Sequence, residues 1–111
     1  MSFFDSEFVR AEMSEISDLQ DEVYGKFMHF PYMNSEDQLY QVNLLEKLID
    51  KQKILYTRLS LSDDPEAIEM KERISDSATM MGLPKDVDMN GVFDKMSEML
   101  SIMKKQIDKG A

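Results

Sequence analysis

The sequence predicts an all-α protein, a helical hairpin or four-helix bundle, and three observations carry that reading. Apolar residues recur at steps of three and four through most of the 111 residues. Helix-start signals at Asn34-Ser35, Asp64-Pro65 and Asp88 or Asn90, with stops at Pro31 and at Gly82-Leu83-Pro84, divide that pattern into four segments. No run alternates apolar and polar residues for long enough to make a strand. Helices are expected at about 5–28, 36–59, 65–81 and 89–108, within a single domain spanning 1–111.

The first helix takes its apolar face from Val9, Met13, Ile16, Val23 and Phe27, widened by Leu19 and Tyr24. Glu7, Glu15, Asp18 and Glu22 stand opposite. His29-Phe30-Pro31-Tyr32-Met33 breaks it, because Pro31 has no amide proton and disfavours helical geometry at Phe30. Ser35 with Gln38 reads as a capping box for the second helix, with Glu36 and Asp37 in its first turn. That helix is apolar over a wide arc. Leu39, Val42, Leu45, Ile49, Tyr56 and Leu59 mark one face, and Leu44, Leu48 and Leu55 broaden it, so contacts on two sides are expected. The third helix opens on an acidic cap followed by Pro65 and uses Ala67, Met70, Ile74, Ala78 and Met81, with Gly82 as a left-handed stop. The fourth places Met89, Val92, Phe93, Met96, Met99, Leu100, Met103 and Ile107 on one face, and Lys104, Lys105 and Lys109 near its negative end. Two assemblies satisfy these stripes: a self-contained four-helix bundle, or a long hairpin that needs a second copy to cover its other face.

Composition narrows the function. The hydrophobic share of 42% argues against wholesale disorder. The net charge of −9 is uneven: residues 1–22 carry seven acids against Arg10, whereas 23–62 hold four acids and five bases. Such a surface repels a phosphate backbone, so no nucleic-acid partner is expected, and solubility accounts for the acidity better than mimicry of DNA does. The absence of cysteine removes disulfides and thiolate metal sites. The opening Met1–Asp5 has no basic, apolar leader character, and no stretch approaches a membrane span, so a cytoplasmic protein without a membrane partner is expected.

Chemistry-bearing motifs are sparse. Asp86-Val87-Asp88-Met89-Asn90-Gly91 matches the first half of a calcium loop, with Asp94 as a further oxygen donor, but the twelfth position is Ser97 rather than glutamate. The same residues serve equally as an Asp/Asn-rich cap for the fourth helix, which is the preferred reading. His29 is the sole histidine, so Glu-x-x-His metal pairs and nucleophile–base constellations have no members here. Arg10, Arg58 and Arg73 are too few, on too acidic a background, for a helical mutase. No catalytic residue and no cofactor is expected. Contact residues are more promising. Phe27, Phe30, Tyr32 and Met33 form an apolar cluster at the first turn, which either caps the bundle or docks a partner. Met96, Met99 and Met103, among eleven methionines, and Tyr56 on the second helix serve either core or an adaptable partner face.

Three stretches resemble a known family: Gln52-Lys53-Ile54-Leu55-Tyr56-Thr57-Arg58-Leu59-Ser60-Leu61-Ser62-Asp63-Asp64-Pro65-Glu66-Ala67, Gly82-Leu83-Pro84-Lys85-Asp86-Val87-Asp88-Met89 and Met1-Ser2-Phe3-Phe4-Asp5-Ser6. They are similar to short, acidic, uncharacterised proteins of cyanobacteria and their phages, classed as a domain of unknown function. The resemblance implies a cyanobacterial, cyanophage or marine source and brings no activity, ligand or site residue. The expected function is therefore a non-enzymatic module that self-assembles, as a dimer or higher oligomer, or binds another protein. The alternatives are a regulator docking on a host machine, such as a polymerase or photosynthetic assembly, and a weak calcium binder.

Overall fold

In the computed structural model, residues 3–84 and 88–110 are described. They form four long helices and no strand: α1 (Glu7–Gly25), α2 (Ser35–Leu61), α3 (Pro65–Met80) and α4 (Met89–Gly110). Short 3-10 turns occupy Phe3–Asp5 and Phe27–Tyr32.

The caps explain the boundaries. Ser6 Oγ accepts from the Val9 amide at 3.5 Å and opens α1. The first helix is shorter than the expected 5–28. After Gly25 the backbone tightens into the 3-10 turn that contains Pro31, and His29 donates to the Lys26 carbonyl at 3.1 Å. At α2 the capping box expected from Ser35 and Gln38 does not form. Asn34 is the cap, its Oδ1 accepting from the Asp37 amide at 2.8 Å. Gln38 instead donates to the Phe30 carbonyl at 3.0 Å, tying the turn to the helix that follows it. Asp64 caps α3 ahead of Pro65. That helix ends with Gly82 at φ 96°, where the Leu83 amide donates to the Ala78 carbonyl and the Gly82 amide to the Thr79 carbonyl, both at 3.0 Å.

Helix α2 is the hub. It spans 27 residues, about 40 Å at 1.5 Å per residue. Helices α1 and α4 pack on two different sides of it, and α3 crosses its C-terminal end. Ion pairs and hydrogen bonds give the directions: Lys51 meets Glu12, and Tyr40 meets Glu22, so α1 is antiparallel to α2. Lys53 meets Asp94 and Lys104 meets Glu46, so α4 is antiparallel to α2 as well, and hence parallel to α1. Two apolar clusters hold the layer. Ile16 and Leu19 pack on Leu48, while Leu100 packs on Val42 and Ile49. Leu45 belongs to both. The outer helices make no substantial contact with each other, so the bundle is open on one side. Its shape follows: 49 × 32 × 20 Å, with a radius of gyration of 16.0 Å. A compact chain of this length has a radius near ~13 Å.

Candidate functional site

The open side is an apolar trough between α1 and α4. Val42, Leu45 and the buried Gln41 of α2 line it, with Val23 and Met103 from the flanking helices and Phe27 and Phe30 from the turn; the groove holds about 90 Å³. The walls run further than this groove. On α4 the residues facing the hub are Phe93, Leu100 and Ile107, seven apart. Met96, Met99 and Met103 lie on the flank beside that stripe, on the side away from Asp94 and Lys104. On α1, Met13 and Tyr24 lie on the flank opposite Glu12, Glu15 and Glu22. All five of these apolar residues are exposed.

Charge is kept to the outer edges. Lys51 bridges Glu12 and Glu15 across α1 and α2. The hydrogen bond from Lys51 holds the Glu15 carboxyl below its ordinary range, and the same bond raises Lys51. Tyr40 donates to Glu22 at 3.1 Å, which pushes its phenol up. On the other edge Lys53 pairs with Asp94, and Lys104 Nζ reaches Glu46 Oε1 at 2.9 Å without hydrogen-bond alignment. These pairs lie along the rims of the layer, and the groove is left uncharged apart from Lys26 at its end.

The contact residues read from sequence divide three ways. Phe30 turns inward onto the cluster of Val42, Ile49 and Leu100, and Met33 is half-buried. Tyr56 is half-buried on α2, its ring 6.0 Å from that of Phe93, so it serves the contact of α2 with α4. Phe27, Met96, Met99 and Met103 are exposed along the trough, and Tyr32 stands 88% exposed on the turn. Met13, Tyr24 and Ile102 join the exposed apolar set without having been singled out as contacts. The signal for the first two was present, because both belong to the apolar stripe of α1, which is wider than the face its one neighbour covers.

The residues of the calcium-loop motif have structural tasks. Asp88 caps α4, its Oδ1 accepting from the Asn90 amide at 3.1 Å. Asn90 lies 3.4 Å from the Thr57 hydroxyl, and Asp94 pairs with Lys53. Asp86 lies outside the described residues. Among the described residues no group of three or more His, Asp or Glu side chains is placed to hold a metal ion, and no helix is long and apolar enough to cross a membrane. His29 is exposed on the 3-10 turn.

A family model described as a domain of unknown function, DUF1825, matches residues 1–107. No curated protein and no solved structure matches the chain.

Proposed function

The chain belongs to the DUF1825 family, a domain of unknown function, and we propose that it is a non-enzymatic helical module that acts by protein contact, in the first place with copies of itself. The trough between α1 and α4 is the observation that carries this reading. It is apolar, open along the molecule, and bordered by charges already paired within the chain. An uncovered stripe of this kind in a soluble chain marks a contact surface. Its methionines suit adaptable packing, being flexible and polarizable. Sedimentation equilibrium over the micromolar range tests the self-assembly. A mass above the 12.9 kDa of one chain, falling on dilution, is the expected result, and a strict monomer would remove it.

A second reading is a regulator that binds a larger host machine. The acidic outer side of α1, with Glu7, Asp18 and Asp21 exposed, favours it by complementing a basic partner. Affinity capture from the host lysate checks it, and the absence of any reproducible stoichiometric partner would count against it. We also infer a cyanobacterial or cyanophage source from the motifs quoted above, and propose a cytoplasmic location for the chain. A calcium response gains no support from Asp88, Asn90 and Asp94, whose oxygens cap or pair locally.

A further inference from the structure

Which surface a second copy would use, and in which direction, can be read from α4. We propose that two chains associate about a two-fold axis near Met99, with α4 of each lying antiparallel against α4 of the other at the mouth of the trough. This rests on the self-association proposed above and specifies its geometry.

Three observations carry it. The first is symmetry. Met99 sits at the middle of α4, is 61% exposed, and has Met96 three residues before it and Ile102 three residues after, both exposed. An antiparallel pair centred on Met99 sets Met96 of one chain against Ile102 of the other, and the reverse, which an isologous contact requires. The second is charge. Leaving aside Asp94 and Lys104, which pair with Lys53 and Glu46 of α2, the helix carries Asp88 and Glu98 against Lys95 from its cap to Glu98, and Lys105 and Lys109 against Asp108 from Met99 onward. Antiparallel pairing opposes the acidic half to the basic half and aligns the helix dipoles head to tail, whereas parallel pairing opposes like with like. A chain with net charge −9 thereby presents a helix of near-balanced charge to its copy. The third is area. The chain exposes 7897 Å². A compact monomer of this mass exposes roughly 6,300 Å², so the excess exceeds the ~800 Å² per partner of a standard interface.

The chain has no cysteine, so single cysteines report one contact each. Three variants are compared with the parent chain by sedimentation equilibrium and oxidative cross-linking: Met99→Cys, Ile54→Cys and Met99→Lys. Ile54 is 51% exposed on the side of α2 turned away from the trough. The expected result is a dimeric parent, a disulfide-linked dimer from Met99→Cys, none from Ile54→Cys, and a helical Met99→Lys whose dissociation constant rises by at least about thirty-fold. A parent that dimerises while Met99→Lys dimerises equally well, or while Ile54→Cys cross-links better than Met99→Cys, overturns this geometry and leaves self-association standing. A parent that is monomeric throughout overturns both. Met99→Lys is exposed in the monomer, so circular dichroism distinguishes loss of contact from loss of fold.

Discussion

At the scale of single residues, the two oxygens of Asp64 bind separate parts of the chain. Oδ1 accepts from the Glu66 amide at 2.9 Å and caps α3, while Oδ2 accepts from the Phe3 amide at 2.6 Å and holds the N-terminal turn against α3. Asp64→Ala removes both bonds. It should cost about 1–2 kcal/mol, the usual range for a lost cap, and thermal melts followed by circular dichroism check it. The Lys51 bridge gives a pH dependence. Glu15 titrates lower in the folded chain than its ordinary 4.5, so its contribution is present above that value and lost as pH falls through the depressed one. Lys51 titrates above its ordinary 10.5, so its contribution is present below that value and lost as pH rises through the raised one. Acid unfolding of Glu15→Gln should therefore lack part of the decline in stability below pH 4.5 that the parent shows. Equal acid profiles for the two chains would show that the bridge is too exposed to matter.

At the scale of elements, the four helices were legible because periodicity and caps agree over long segments. The wide apolar arc of α2 foretold two neighbours, and α1 and α4 occupy them. The start of α2 was misplaced because Ser35 and Gln38 satisfy the capping-box spacing, yet the Phe30 carbonyl lies within reach of Gln38 only once the turn has folded. The 3-10 turn was legible as a break but not as a structure, since its form depends on Phe30 reaching the core. Glycines provide a test at this scale. Gly82 has a positive φ that an alanine adopts only with strain, whereas Gly25 is helical with open space where a Cβ would stand. Gly82→Ala should destabilise by about 1 kcal/mol, and Gly25→Ala should stabilise by about 0.4–1 kcal/mol. Urea unfolding of the two variants measures both signs.

For the molecule as a whole, the trough was not legible, and the reason is physical. A stripe says which side of a helix avoids water but not which neighbour covers it. The methionines of α4 matched a core face as well as a contact face. The structure separates the two uses: Leu100 is the one buried residue of α4, against four on α1. In the single chain, helix α4 should accordingly open at lower free energy than α1. In the monomeric Met99→Lys variant, amide exchange should be faster across α4 than in the middle of α2, where Leu48 is 1% exposed. Exchange uniform across the two helices would contradict that order.

Because α1 and α4 make no substantial contact with each other and both pack on α2, perturbations have a narrow route between them. Leu45, common to both clusters, is that route. Thermodynamically the outer helices should behave as near-independent tenants of one column. Truncations at Leu19 and at Ile107 should add within about 0.5 kcal/mol in a double-mutant cycle, as separated sites do. Truncation at Leu45 should couple to either of them, so tolerance of sequence change within the folded layer should be lowest there.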